Sequence, residues 1–510
     1  MLPSNELAIL PIQSSKMKRT LIALSILIIA QTVQAQSAQK TSAPPALNVI
    51  KVADLKKDLY ALADAHYRGR SAGTIDELKA SMWLGELYRT IGLLPAGDDG
   101  TYFQYFNMWH NHISDNSNIS INNQTLALWK EVTVAQMANV QIDAPILYLG
   151  NAATMNITNL DVKGKVLAIE ANAAGINQNV SLPTWRYPRN ILAKYGNALI
   201  AKGAAAIIFI NDDVAENAWT DANENNYRGT FDIDGGPNAV VQTKVPVLWV
   251  HAASKQLLQS AGATLKVNLI IEHQSYPSVN IVGLIKGTDK NLASEYLLYS
   301  GHQDAHGVRN SNNTDSVYYG ADDNASVDVA MMANARAFIK NPSKRSVLFV
   351  IHGAEERGLL GSRYYSSHPT VPLQSIVAVL NGDMIGRNNP DSAALLGVQA
   401  PHRNSSELVA MALSANEEGP KFKLDTLWDK PAHVEGWFFR SDHLPYARLG
   451  IPSIMYTTLL HPDYHTPLDD AQHIDYDKLK KMADWMYRTG WKVANAAVRP
   501  AKDANFKLER

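Results

Sequence analysis

The sequence predicts an α/β fold: an open mixed, mostly parallel sheet flanked by helices, interrupted by an inserted β-rich domain. Three observations carry that expectation. From Ser278 to about residue 500, apolar runs of strand length alternate with amphipathic segments of helix length. Between residues 118 and 266 the texture changes to short strands and turns rich in Gly and Asn. Histidines and carboxylates stand directly after several of the later strands, where open α/β sheets bind their ligands.

Composition narrows the function classes. A chain of 510 residues suits two or three domains and can bury a core without covalent staples. Hydrophobic residues at 46% and charged residues at 19% exclude bulk disorder. Lys+Arg of 47 against Asp+Glu of 48 leaves a net charge of −1, so no basic field draws nucleic acid or an anionic membrane. With 0 cysteines there are no disulfides, thiolate metal sites or cysteine nucleophiles, and the 15 histidines are the strong nitrogen ligands available.

The elements follow in order. Lys18 and Arg19, the apolar run Leu21–Ala30 and the small-residue exit Val33-Gln34-Ala35 read as a secretory signal peptide. Residues 1–35 are therefore expected to be an N-terminal extension and signal, with Met17 as initiator and a mature start near Gln36, periplasmic or extracellular. No later stretch resembles a membrane span, so no stable membrane insertion is expected after cleavage. Residues 36–117 read as a Ser/Ala/Pro-rich leader and the first part of a catalytic domain. Within them Thr74 and Glu77 form a capping box, and Ile75, Leu78, Met82, Leu87 and Ile91 a helical stripe, which Gly92 and Pro95 stop. Residues 118–266 read as the insert, with strands at Val162–Ile169, Ala204–Ile210 and Val245–Val250, and a helix over Ile191–Lys202. Asp212–Asn238 is polar and reads as a long surface loop. Residues 267–500 hold strands near Val279–Ile285, Glu295–Tyr299, Ser346–Ile351, Ser375–Leu380 and Ile451–Tyr456, with helices at Ala325–Lys340 and Asp475–Val493; residues 501–510 form a tail.

The strand ends carry the chemistry. Ser300-Gly301-His302-Gln303-Asp304, His352-Gly353-Ala354-Glu355-Glu356 and Asn381-Gly382-Asp383 each follow an apolar strand. Asp322 and Asp323 precede the helix at Ala325, and Tyr464-His465 lies beyond the last strand. Carboxylates gathered so closely repel one another, and divalent cations relieve the repulsion. Imidazole and carboxylate donors without thiolate suit zinc, with cobalt or manganese as substitutes.

In this order and spacing, His302-x-Asp304, Gly320-Ala321-Asp322-Asp323-Asn324-Ala325-Ser326, Glu355-Glu356-x-Gly358-Leu359-Leu360-Gly361, Asn381-x-Asp383 and Tyr464-His465-Thr466 resemble the di-zinc exopeptidase family of bacterial leucyl aminopeptidases and glutamate carboxypeptidase. Ser441-Asp442-His443 with Gly450-Ile451-Pro452 is similar to that family too. Gly69-Arg70-Ser71-Ala72-Gly73-Thr74 resembles the start of members carrying an insert, and the segments Gly164–Ile210 and Val245–Val250 resemble their protease-associated domain.

The resemblance implies the zinc exopeptidase fold and two Zn2+ per chain. Asp323 would bridge them, with His302 and Asp383 completing one site and Glu356 and His465 the other. Glu355 would be the general base, Tyr464 would donate to the oxyanion, and Asp304 would orient His302. Asp322 is read as a cap of the next helix, and Asp469 as a partner behind the ligands. Asp442 and His443 either line the pocket or hold their loop. His306, His352 and His461 receive no ligand role, and His352 is expected to pack beneath the site. Trp437-Phe438-Phe439 is expected to be core, with a pocket wall as its alternative. Val327 departs from the family by standing where a glycine is usual.

The function expected is a secreted or periplasmic aminopeptidase acting on peptides. A glutamate-type carboxypeptidase is the alternative; it needs cations for a terminal carboxylate, and Arg387, Arg403 and Arg440 are its candidates. A non-catalytic binding ectodomain is disfavoured because the ligand set and Glu355 are both present. The oligomeric state is not specified by the sequence.

Overall fold

The computed structural model describes residues 43–309 and 316–508. The expected signal peptide, and the leader as far as residue 42, lie outside the described residues. No helix among the described residues is long and apolar enough to cross a membrane.

A large mixed sheet organises the chain. Its strands lie in the order Lys423–Asp425, Ser392–Leu396, Ser453–Thr457, Ile376–Gly382, Tyr296–His302, Ser346–His352, Ile271–Ile285, Phe103–Ile113 and Thr230–Ile233. The four strands from Ser453–Thr457 to Ser346–His352 are mutually parallel. Antiparallel pairs flank them on both sides. These central strands are continuous apolar runs because both faces are covered. Leu297, Tyr299, Val347, Phe349 and Ile351 enter one core. Leu298, Leu348 and Val350 enter the other. The first face packs the helices Val52–Leu62, Ser326–Lys340, Ser406–Glu417 and Tyr476–Asn495.

Val327 shows how closely the helix Ser326–Lys340 approaches the sheet. A Cβ on Gly301 or on Gly382 would each meet its Cγ1 at 2.8 Å. The bulk of Val327 on the helix is thus matched by missing side chains on two strands.

The helix Ile75–Ile91 forms as its cap predicts, but it buries a different face. Thr74 accepts the N–H of Glu77 and Gly92 closes the helix with φ of +100°. Ile75 and Met82 are exposed, and Ala80, Ser81, Leu84, Gly85 and Tyr88 face the core. Small residues win that face because the sheet is near: a Cβ on Gly85 would meet the Phe103 ring at 2.8 Å. Glu77, only 2% exposed, also points inward, accepting from Gly73 N at 2.7 Å and from Ser278 Oγ at 2.5 Å.

A second sheet is built by residues 118–269, in the order Gln124–Thr125, Asn118–Ile121, Thr264–Leu269, Val140–Asn151, Val166–Glu170, Ala206–Ile210, Val247–Val250 and Val132–Gln136. It hangs from the main sheet on a two-strand ribbon, Phe103–Ile113 paired with Ile271–Ile285 in register from Ile281↔Phe103 to Ile271↔Ile113. Two expectations are corrected here. Helical structure begins at Pro183 rather than Ile191 and continues to Ala201. Asp212–Asn238 is not one long loop but contains the helix Asp213–Tyr227, followed by the edge strand Thr230–Ile233 of the main sheet. Asp212 caps that helix through Ala215 N, and its buried stripe is Ala215, Ala218 and Ala222. Alanines spaced this way carry too little hydrophobic contrast to register as an apolar face.

Thr74→Ala should cost about 1 kcal/mol in urea denaturation, the usual loss of a helix cap. Glu77→Ala should cost more, at least ~2 kcal/mol, because it strands the donors of Gly73 and Ser278 in the interior. A smaller loss for Glu77→Ala than for Thr74→Ala would show that its inward contacts do not hold the fold.

Candidate metal centre

The parallel strands end side by side, which brings their loops to one edge. His302 is the last residue of its strand, and Glu355 and Glu356 follow theirs after the two residues Gly353 and Ala354. Asp383 comes directly after Ile376–Gly382. Asp323 enters from the segment preceding Ser326–Lys340, with its peptide to Asn324 in the cis form.

These side chains converge. Asp323 Oδ1 lies 3.4 Å from His302 Nε2, and its Oδ2 lies 3.1 Å from His465 Nε2. Each oxygen of this one carboxylate therefore faces a different imidazole. His302 Nε2 is 3.7 Å from Glu355 Oε2 and 4.0 Å from Asp383 Oδ2. His465 Nε2 is 3.2 Å from Glu356 Oε1. Two groups fall within coordinating distance: His302, Glu355 and Asp383 form one, and His306, Glu356 and His465 the other. Asp323 stands between them.

The second group contains His306, a residue to which the family resemblance gives no ligand role. His306 Nε2 lies 3.2 Å from Glu356 Oε2, and its ring meets that of His465 at 3.9 Å. Arg309 donates to its other nitrogen. Its Nε2 is buried without a hydrogen-bond partner among the described residues, and together with Glu356 and His465 it faces the candidate metal site. Its place two residues past Asp304 was the available signal.

Asp304 corrects a second expectation. His302 Nδ1 faces the main-chain carbonyl of Asp304 at 3.1 Å, whereas the Asp304 carboxylate is 3.7 Å away. That carboxylate instead accepts from Glu355 N at 2.9 Å and Glu356 N at 3.2 Å, fixing the turn that carries both glutamates. Asp469 acts in the same way on the other loop, accepting from Asp322 N at 2.9 Å and Asp323 N at 3.1 Å. Asp322 caps no helix; it accepts from Gly386 N at 2.6 Å and lies 3.4 Å from His461 Nε2. Asp442 and His443 are fully buried, and His352 packs beneath between Asn280 and Tyr446. Arg70, also fully buried, donates to the carbonyls of Gln303, Leu62, Tyr319 and Gly320, clamping the loops of His302 and Asp323 together.

Burial and mutual repulsion show in the titration of these groups. Burial, helped by the neighbouring Asp323, pushes Asp383 up to about 8. Burial and the adjacent Glu356 and Asp383 hold Glu355 well above the usual carboxylate range. Burial alone would lower His302, but Glu355, Asp323 and Asp383 keep it well above the ordinary histidine value. Asp323 is held far below its ordinary value, against burial, by His302 and His465. His302 Nε2 and Glu356 Oε1 are buried with no hydrogen-bond partner among the described residues. Orphaned donor atoms converging from imidazoles and carboxylates are what a divalent cation satisfies.

The cluster opens onto a cavity of about 1200 Å3. The metal-facing side is Asp323, Glu355, Glu356, Asp383, Tyr464 and His465; Leu182, Trp185 and Arg186 of the second sheet's helix stand on the other. Tyr464 stacks on His465 at 3.7 Å. Trp437 and Phe439 line this cavity, whereas Phe438 is core. The three arginines offered for a terminal carboxylate are engaged elsewhere: Arg387 with Asp463, Arg403 with Asp503, and Arg440 with Glu435 and Tyr464.

A parallel-centred α/β sheet with this cluster at its carboxyl edge is the zinc exopeptidase fold. Two solved structures share it: an aminopeptidase from Aneurinibacillus sp. strain AM-1, with 18% identity, TM-score 0.57 and coverage of 91% of this chain and 99% of that one, and BSAP, a zinc aminopeptidase from Bacillus subtilis, with 19% identity, TM-score 0.55 and coverage of 89% and 96%. Residues 280–489 match the model of peptidase family M28. Aminopeptidase YwaD of Bacillus subtilis is 28% identical over 267 residues, 50% of this chain and 53% of that protein. The probable lipoprotein aminopeptidase LpqL of Mycobacterium tuberculosis is 27% identical over 51% of this chain and 47% of its own length. The matches thus span about half the length of these relatives.

Sign and window of a pH effect follow. Asp383 and Glu355 have folded values above their unfolded value of about 4. The stability they contribute to the metal-free protein is full below about pH 4 and is lost as pH rises toward 8. A bound divalent cation removes the repulsion, so the gap in Tm between metal-loaded and chelated protein should widen from pH 5 to pH 8. Equal gaps at both pH values would show that carboxylate repulsion does not govern the metal-free state.

Proposed function

We propose that this chain is an exported, zinc-dependent aminopeptidase that removes N-terminal residues from peptides, holding two Zn2+ per chain. The observation that supports it most directly is Asp323, whose two carboxylate oxygens face His302 and His465 in separate halves of the cluster. His302 and Asp383 would complete one metal site, Glu356 and His465 the other, with Asp323 shared. Zinc, when bound, supplies polarisation of the scissile carbonyl and acidification of water.

The remaining work falls to the chain. Glu355 is the general base: it takes a proton from the attacking water and delivers it to the leaving amine. Its neighbour Glu356 is directed at His465, which leaves Glu355 free for proton transfer. Tyr464, at the cavity wall beside His465, donates its hydroxyl proton to the oxyanion as the carbonyl becomes tetrahedral. Asp304 and Asp469 keep their acceptor atoms on the loop amides and so hold the bearing residues still. Residues 118–266 act as a protease-associated-type domain that closes one side of the cleft. Export rests on the N-terminal signal and would leave a mature chain starting near Gln36.

One observation favours the carboxypeptidase alternative: Arg228, Arg309 and Arg357 line the same cavity and offer cations to a terminal carboxylate. A matched peptide panel separates the two. Zinc-loaded protein should cleave peptides with a blocked carboxylate and lose cleavage when the amine is blocked. The reverse pattern would make it a carboxypeptidase, and no cleavage of any peptide would set aside exopeptidase activity. Glu355→Gln should retain both metals and lower kcat by about 10²–10⁴-fold. Asp323→Ala should lose metal from both sites; two zinc ions retained would rule out a shared carboxylate.

A further inference from the structure

The wall of the cavity contributed by the second sheet is wired to the first. Glu435 is buried, its side chain 5% exposed, and it is saturated with donors from both bodies of structure. Its Oε1 accepts from Ser181 N at 2.5 Å, and its Oε2 from Ser181 Oγ at 2.7 Å, Arg186 Nη2 at 3.1 Å and Arg440 Nη1 at 2.8 Å. Arg440 Nη1 also donates to Ser181 Oγ at 3.1 Å. Its Nη2 donates to the hydroxyl oxygen of Tyr464 at 2.9 Å, and its guanidinium lies 4.3 Å above the Trp437 ring.

This arrangement constrains what Arg440 can do. Its Nη1 is held by Glu435 and Ser181 and its Nη2 by Tyr464, so its terminal donors are committed within the protein. A phenol oxygen has one proton to give and can accept at the same time. When a guanidinium donates to that oxygen, the hydroxyl proton must point elsewhere. Among the described residues no acceptor takes the Tyr464 proton, and the ring stacks on His465 at the candidate metal site.

We propose that Arg440 is a positioning residue that presents the Tyr464 hydroxyl to the oxyanion, and that the inserted domain sets Arg440 through Glu435. The inserted domain is then part of the catalytic apparatus as well as a wall. This rests on the reading of Tyr464 as the oxyanion donor.

The test uses the full-length, zinc-loaded protein and a peptide substrate amidated at its C-terminus, comparing Tyr464→Phe, Arg440→Gln, their double variant and Glu435→Gln. Tyr464→Phe should lower kcat about 10²-fold or more, the usual loss of one oxyanion donor. Arg440→Gln should lower kcat about tenfold with KM within about twofold, and should cost nothing further in the Tyr464→Phe background. Glu435→Gln should lower kcat less and speed amide exchange at Ser181, whose N–H it anchors. Ser181→Ala, which removes a single hydroxyl, should do the same more mildly and serves if Glu435→Gln does not fold.

The outcomes separate the two claims. Unchanged kcat in Tyr464→Phe would sink the oxyanion reading itself. A slow Tyr464→Phe with additive loss in the double variant, or an Arg440→Gln effect confined to KM, would overturn the positioning role. Faster exchange at Ser181 with kcat unmoved in both Glu435→Gln and Ser181→Ala would remove the inserted domain from the relay.

Discussion

The structure depends on burying carboxylates at one edge of a sheet. Asp304, Asp322, Asp323, Asp383, Asp442 and Asp469 are each at most 5% exposed, with Glu355 and Glu356 close to them. Charges out of water are costly unless paired or hydrogen-bonded. The chain meets this cost with main-chain donors: two amides for Asp304, two for Asp469 and one for Asp322. Arg70 adds a buried cation while spending its hydrogen bonds on four carbonyls. Once these are satisfied, the atoms left without partners include His302 Nε2 and Glu356 Oε1, which point into the cluster. The acids are thus divided in labour, some consumed in fixing loops and the rest left facing the proposed metal site.

That division explains what the sequence disclosed. His302, Asp323, Glu355, Glu356, Asp383 and His465 were legible because a parallel sheet forces consecutive strands to end together, so residues far apart in sequence meet at one edge. The sheet itself was legible because strands covered on both faces are continuous apolar runs. Less was legible where the signal was weak. The helix Asp213–Tyr227 hid because its buried stripe is alanine. The buried face of Ile75–Ile91 was misread because contact with Phe103 demands small residues, leaving Ile75 and Met82 outside. The Asp304 carboxylate holds the turn of Glu355 and Glu356 rather than the His302 ring because a side chain's hydrogen-bond partner depends on turn geometry that no spacing rule carries. Arg70 stood inside a noted motif, yet its four carbonyl partners come from four separate positions.

Val327 illustrates why a departure at one position need not disturb the site. The residue thickens a helix at its closest approach to the sheet, and Gly301 and Gly382 on the facing strands thin the sheet to the same extent. Those glycines directly precede His302 and Asp383, so the fit that accommodates Val327 also sets the depth at which two proposed ligands emerge. Packing and chemistry are therefore not independent here: a side chain on either glycine would shift the strand end that carries a ligand.

The same reasoning applies to the second sheet. A ribbon registered residue for residue from Ile281↔Phe103 to Ile271↔Ile113 leaves little freedom where it joins the main sheet, and the edge strand Thr230–Ile233 returns to pair with it. The helix beginning at Pro183 is thereby brought against the cavity at Leu182, Trp185 and Arg186. A cavity of about 1200 Å3 exceeds the roughly 300–1,000 Å3 of common ligand pockets. It has room for more than one residue of a peptide, but one side is closed by this helix. In the proposed function, closure on one side of the metal site would limit attack to a chain end, because an internal segment of a long peptide must leave the site in both directions. In the proposed reaction the main sheet would fix where bonds break, and the inserted domain, through its wall and its contact with Glu435, would govern which end of a chain arrives there.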